Sequence, residues 1–297
     1  MTTYSRRAFI KYSAILPSTI LATDFQVVRA RGSSHPFFAR GKNRPEVIAH
    51  QGGKGQWPGE TLYAFEQSTK IRADILELDI RSTKDDHLVA MHNESVDATT
   101  NGKGRVRQFT LKDLKKLDAG YRWTADGGRT FPFRGKNLTV PTVEEVFEKF
   151  PDSRMSVEIK QSDPSLVEPL CKMIEKHKME EKVLVASFSD SVIEQFRARC
   201  PKVATSASTQ EFLRFHAGHN DFGGTSKPDC LQVKDKVLAV QVITRKLVER
   251  AHKLNLPLHA WTVNDLEGMQ RMIALNVDGI ITDFPGPLLA LLGRLDK

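Results

Sequence analysis

No stretch of the sequence reaches eighteen consecutive apolar residues, so it offers no candidate transmembrane helix. Cysteine is scarce. Cys171, Cys200 and Cys230 are odd in number and widely spaced, which leaves no zinc spacing and no readable disulfide framework. They are expected to be three small buried hydrophobes. No basic stripe with interleaved aromatics occurs, which sets nucleic acid aside. Gly53-Lys54-Gly55 lacks the Walker spacing and its Ser/Thr, which excludes a nucleotide P-loop. Repeats and low-complexity tracts are absent too. What is present is globular in composition, 40% hydrophobic and 27% charged over 297 residues. That length fits one large α/β barrel with insertions, or two small domains. Net charge is +8, but residues 1–30 hold Arg6, Arg7, Lys11 and Arg29 against Asp24, so the remainder carries +5. This mild excess favours anionic substrates or a membrane surface.

The N-terminus reads as an address. Ser5-Arg6-Arg7-Ala8-Phe9-Ile10-Lys11 is followed by a modestly apolar stretch, Tyr12 to Ala22, with small residues at Ala22 and Ala30. A charged start, a short apolar centre and a small-residue exit make a secretory signal rather than a span. The paired arginines resemble a bacterial twin-arginine signal, which predicts export by the twin-arginine machinery to the periplasm or beyond. Residues 1–30 are set apart from the fold, and residues 31–44, basic and Gly/Ser-containing, are expected to be a tether.

From residue 45 onward, short apolar strand candidates alternate with amphipathic segments. The strands are Val47–His50, Ile75–Ile80, Leu88–His92, Met155–Ile159, Val183–Phe188, Val203–Ala207, Cys230–Val233, Leu258–Val263 and Gly279–Thr282. The segment Asp265–Leu275 shows Leu266, Met269, Met272 and Ile273 at helical spacing. Alternation of this kind predicts a parallel sheet covered on both faces. The connection Arg81–His87 is too short for a parallel crossover, so the second and third strands form a hairpin. Discounting the return strand leaves eight, the number a (β/α)₈ barrel needs. Residues 93–141, weakly periodic and rich in Gly, Thr and Arg, are expected to form a cap over the mouth.

Chemistry concentrates at strand ends. Glu77 and Asp79 alternate with Leu78, so both carboxylates share one face of a strand. Two acids there repel each other and resist desolvation, and a divalent cation, Mg²⁺ or Ca²⁺, would relieve both problems. Taken alone, the pair is equally compatible with acids on an outward face. Glu158-Ile159-Lys160 repeats the pattern. Glu158 could complete a three-carboxylate site, with Lys160 meeting a phosphate oxygen, or the two could be a buried ion pair of no catalytic role. His50 precedes Gln51-Gly52-Gly53, where glycines let backbone N–H groups approach an anion. The hairpin brings His92 alongside Glu77 and Asp79. Two histidines facing a metal and a phosphate could act as general base and general acid.

These residues resemble the glycerophosphodiester phosphodiesterase family. The likeness runs through His50-Gln51-Gly52-Gly53, Pro58-Gly59-Glu60-Thr61, Glu77-Leu78-Asp79, Thr83-Lys84-Asp85-Asp86, His92-Asn93, Thr99-Thr100-Asn101-Gly102-Lys103-Gly104 and Glu158-Ile159-Lys160. It ends in Trp261-Thr262-Val263-Asn264 and Asp278-Gly279-Ile280-Ile281-Thr282-Asp283. In order, it spans about residues 46–292. The resemblance implies a TIM (β/α)₈ barrel with a cap, a divalent cation held by Glu77, Asp79 and Glu158, and acid–base catalysis by His50 and His92. It implies hydrolysis of a glycerophosphodiester to an alcohol and glycerol 3-phosphate. Glu60 would lie close to the metal ligands and Trp261 near the glycerol.

Gln51 departs from the family's usual Arg, exchanging a charged fork for a neutral amide. Phosphate binding then leans on the cation, Lys160 and backbone N–H groups. The departure keeps two other readings in view: a lysophospholipase D acting on long-chain lysophospholipids, and a non-catalytic glycerophosphodiester-binding protein.

Overall fold

The computed structural model describes residues 34–39, 45–223, 226–238 and 240–295. The signal reading of residues 1–30 lies outside these residues. Strands β1 (Glu46–Ala49), β2 (Ile75–Ser82), β3 (Leu88–Ala90), β4 (Arg154–Ile159), β5 (Val183–Ala186) and β6 (Ala204–Thr205) make the first half of the fold. The second half holds β7 (Leu231–Lys234), β8 (Lys236–Val237), β9 (Val240–Gln241), β10 (Leu258–Trp261) and β11 (Gly279–Thr282). Eight of them run side by side in the order β6-β5-β4-β2-β1-β11-β10-β7, and these pairings are all parallel. A parallel bridge between Ser206 and Cys230 joins the two outer strands. The Ala207 N–H donates to Cys230 O and the Asp229 N–H to Thr205 O, so the sheet closes on itself as the expected barrel.

The alternation within each strand sorts its side chains. Leu76, Leu78 and Ile80 of β2, with Met155, Val157 and Ile159 of β4, point outward against helices Val143–Lys149 and Val167–Lys176. Ile48, Ile75, Leu184, Ala204, Cys230 and Ile281 form an inward apolar layer. Helix starts carry their expected caps: Thr61, Thr142, Ser189, Thr244 and Asp265 each accept a backbone N–H three residues on.

β3 pairs antiparallel with β2, Ser82 opposite Leu88 and Ile80 opposite Ala90, which is the expected hairpin. Residues 93–141 then build a cap with its own small core of Val96, Val106, Leu114, Ala119 and Val140. Among the described residues, no helix is long and apolar enough to cross a membrane.

Three features depart from the sequence reading. Cys171 and Cys200 are disulfide-bonded, Cα atoms 6.0 Å apart, tying helix Val167–Lys176 to the end of helix Asp190–Arg199. Cys230 alone is the buried thiol expected of all three. Within the stretch read as a tether, Pro36–Ala39 form a helical turn whose Phe37 and Phe38 are fully buried against the inward layer. A second hairpin, β8–β9, follows β7.

Candidate active site

β1 stops at Ala49, and the chain turns at once through three left-handed residues, Gln51, Gly52 and Gly53. A Cβ on Gly52 would lie 2.8 Å from the Phe65 ring, so only glycine fits against the helix below. The turn aims Gln51 at two acids. Its backbone N–H donates to Glu77 Oε2 at 2.7 Å and its side-chain Nε2 to Asp79 Oδ2 at 2.8 Å. Sequence reasoning offered these groups to a phosphate. The structure spends them on the protein's own carboxylates.

Glu77 and Asp79 project into the barrel, 5% and 1% exposed. The register of β2 on β4 sets Asp79 directly beside Glu158. Lys160 bridges them, its Nζ 2.8 Å from Glu158 and 3.1 Å from Asp79. Glu60, at positive φ and 5% exposed, accepts the Asp79 backbone N–H at 2.9 Å, while its other oxygen, Oε2, has no hydrogen-bond partner. Three buried carboxylates and the half-buried Glu158 thus cluster in one place, with one ammonium that pairs with two of them.

The electrostatics follow. Burial, then the Asp79 charge, pushes Glu77 well above the usual carboxylate range. Glu60 is driven the same way by burial, then by Asp79 and Glu77. Glu158 is pushed up to about 7 by burial and Asp79, with Lys160 opposing. Burial opposes the Lys160 charge, but Asp79 and Glu158 outweigh it and hold the ammonium.

His50 closes the other side. Its Nδ1 lies 2.5 Å from Asp283 Oδ1, leaving Nε2 directed toward Glu77 at 3.9 Å. Asp283 is held in turn by Asn264, whose side-chain N–H donates to Oδ2 at 2.8 Å. Sequence reasoning gave neither residue a role. Their signal was positional: β1 pairs with β11 with Ala49 opposite Thr282, so the next residues, His50 and Asp283, sit at one level. His92 lies at the rim. It is exposed, its Nδ1 meets Asn93 Oδ1 at 2.7 Å, and the N–H of Met91 before it donates to Asp79 O. Trp261 packs edge-on against Phe188 at 5.7 Å, and Lys160 Nζ lies 5.7 Å over that Phe188 ring.

Donor atoms of His50, Glu77 and Asp79 lie within 4.8 Å of one another. The set expected to hold a cation was Glu77, Asp79 and Glu158. The two share Glu77 and Asp79, while Glu158 faces Lys160 in this structure. Buried hard oxygens in excess of cations, one of them without a partner, fit a divalent ion.

A family model described as the glycerophosphoryl diester phosphodiesterase family matches residues 50–287. A glycerophosphodiester phosphodiesterase of Caldanaerobacter subterraneus subsp. tengcongensis is 35% identical over 257 residues, covering 84% of this chain and 98% of that one. One of Bacillus subtilis is 32% identical, covering 80% and 83%. A solved structure from Silicibacter pomeroyi superposes with TM-score 0.73 at 24% identity, over 87% of this chain and 97% of that one. A phosphodiesterase of Oleispira antarctica, solved with the product sn-glycerol-3-phosphate, gives TM-score 0.66 at 21% identity, over 84% and 98%. The histidine-bearing turn after β1, the acid pair on β2 and the barrel strands from β2 to β11 all fall inside the matched span, and the chain belongs to the glycerophosphoryl diester phosphodiesterase family.

Proposed function

We propose that this chain hydrolyses glycerophosphodiesters to an alcohol and sn-glycerol 3-phosphate, and that it needs a divalent cation, Mg²⁺ or Ca²⁺, to do so. The observation that carries the reading is the convergence of Glu60, Glu77, Asp79 and Glu158 beside an Asp283-held histidine. A cation held by Glu77, Asp79 and Glu158 would neutralise charge on the phosphate and lower the pKa of a bound hydroxyl.

The chain's own residues do the rest. His50 Nδ1 faces Asp283, and with Nδ1–H donated there the neutral ring presents its Nε2 lone pair to take the proton of the attacking hydroxyl. That hydroxyl comes from water or from the substrate's own glycerol, in which case a cyclic phosphate forms and is then hydrolysed. Its oxygen bonds to phosphorus as the bond to the leaving alcohol breaks. His92, at the exposed rim, donates a proton to the departing oxygen. Lys160, charged and half-enclosed, meets a phosphate oxygen. Trp261 and Phe188 offer a flat apolar wall to the glycerol carbons.

The test is release of glycerol 3-phosphate from glycerophosphocholine with Mg²⁺, with Ca²⁺ and with chelator. Metal-dependent release is expected. Release that persists in chelator would remove the cation from the reading, and no release with either metal would remove the substrate class.

Export by the twin-arginine route belongs to the same proposal. The order of parts in residues 5–30 supports it, and so does the Cys171–Cys200 disulfide, which suits an oxidising compartment. Replacing Arg6 and Arg7 together by Lys should retain the protein inside the cell, and unchanged export would rule the route out.

A further inference from the structure

The catalytic end of the barrel is bordered by two unlike banks. On one side stands the cap. Residues 93–141 carry ten Lys and Arg against five Asp and Glu, a net +5. Residues 31–44 carry a further +4, so the barrel outside the cap, residues 45–92 and 142–297, is net −4 and the cap is its basic bank. The cap reaches the mouth, since Trp123 Nε1–H donates to Lys54 O in the loop after β1.

On the other side stands the hairpin β8–β9, which leaves the top of β7. Its base is braced. Asp235 N–H donates to Trp261 O, Val242 N–H to Asp235 O, and Arg271 pairs with the Asp235 carboxylate. Its tip is apolar and uncovered: Val237 is 51% exposed, Leu238 97% and Val240 68%. Lys236 is exposed beside them, and Lys234 Nζ lies 5.7 Å over the Trp261 ring. Single exposed apolar residues need no explanation. Here the distribution is the observation. Among the described residues six large hydrophobics are exposed, and five of them, Phe188, Val237, Leu238, Val240 and Leu266, follow the C-terminal ends of β5, β7 and β10. They therefore sit on the end that bears the carboxylates.

A braced ribbon with bare aliphatic side chains at its turn and lysines at its shoulders has the make-up of a segment that enters a bilayer's interfacial zone. The lysines and the basic cap select the charge of that surface. We infer that the catalytic end docks on an anionic lipid surface, with Val237, Leu238 and Val240 inserted and the basic cap resting on the headgroups. Docking would hold the mouth where deacylated phospholipids leave the bilayer. It does not alter the chemistry proposed above and does not depend on it.

The full chain is tested by sedimentation with phosphatidylcholine vesicles containing about one-third phosphatidylglycerol, and with pure phosphatidylcholine. Wild type should bind the anionic vesicles and release in high salt. A variant carrying Leu238→Asp and Val240→Asp should bind at least ~10-fold more weakly with an unchanged melting temperature. Because the basic N-terminus is present in both proteins, it cancels in the comparison. A separate Leu238→Trp variant reads the hairpin directly, and its added emission should shift to the blue on anionic vesicles. Equal binding by the Asp variant, or an added emission that does not move, would overturn the inference. So would vesicle-independent self-association that the Asp substitutions abolish, which would make the hairpin's partner a second copy of the chain.

Discussion

At the closed end of the barrel, Glu46 pairs with Arg154 at 2.8 Å, both nearly inaccessible. Arg154 also donates to Phe37 O and lies over the Phe37 ring, so the plug of Phe37 and Phe38 seals a neutral pair. At the open end, four carboxylates, Glu60, Glu77 and Asp79 buried and Glu158 half-buried, cluster beside one ammonium, Lys160, which pairs with Asp79 and Glu158 alone. Strands β1 and β4 contribute to both ends. The difference lies in charge balance rather than in residue type. A balanced buried pair is compatible with a structural role, whereas an unbalanced cluster carries a cost that folding alone would not retain. The unbalanced end is therefore where function is sought, and mutations at the two ends should separate.

The largest separation is in turnover. Asp79→Asn removes one charge from the cluster but keeps its shape. Activity should fall by at least about a thousandfold, ~4 kcal/mol of transition-state stabilisation, while the melting temperature holds or rises because like-charge repulsion is relieved. Glu46→Gln should do the reverse. Breaking a buried pair leaves Arg154 uncompensated and costs about 3–5 kcal/mol, whereas turnover per folded molecule should stay near wild type. Kinetics and urea melts on the two variants check this directly. If Glu46→Gln silences the enzyme while stability is kept, the division between the ends fails.

The next separation is in pH. Glu158 titrates near 7 in the folded chain against an ordinary 4.5. Between those values the folded state holds the extra proton, so metal-free stability should fall as pH rises through the window and stay lowered above it. A shift of that size corresponds to ~3 kcal/mol. Glu60 and Glu77 are shifted in the same direction and reinforce the trend. Melting curves in chelator at pH 5 and pH 8 should therefore show the higher melting temperature at pH 5. Added Mg²⁺ or Ca²⁺ should restore far more at pH 8 than at pH 5. Glu158→Gln should flatten the chelator profile, and an unchanged profile would mean that its carboxyl is not strained in the folded chain.

The two ends also differed in how legible they were. Glu77, Asp79, Glu158 and Lys160 could be read because period-two alternation with Leu78 and Ile159 places them on one face by geometry alone. The barrel followed from counting strands and from one connection too short to cross over. The contacts that needed closure were hidden. The His50–Asp283 pair joins residues 233 apart, and only the β1–β11 register makes them neighbours. The disulfide depends on how two helices pack, and a spacing of 29 residues does not encode that. Phe37 and Phe38 lie in a basic, Gly/Ser-containing stretch whose composition pointed away from a core. The β8–β9 hairpin has two residues per strand, too few to show a period.

Gln51 gives the smallest and most discriminating test of the open end. In this structure its amide serves Asp79, yet the side chain stands in the turn beside the proposed phosphate position. An arginine there has five N–H donors, enough to satisfy Asp79 and still offer a fork to phosphate. It would also add the positive charge the cluster lacks. Gln51→Arg should lower KM for glycerophosphocholine about tenfold, near 1.4 kcal/mol, with kcat changed by less than about threefold. The same variant should reduce the fall in metal-free stability between pH 5 and pH 8, because a guanidinium beside Asp79 stabilises the ionised acids. The two readouts are separable. A flattened pH profile with an unchanged KM would mean that position 51 serves the carboxylates alone, and that Lys160 and the cation carry the phosphate without it.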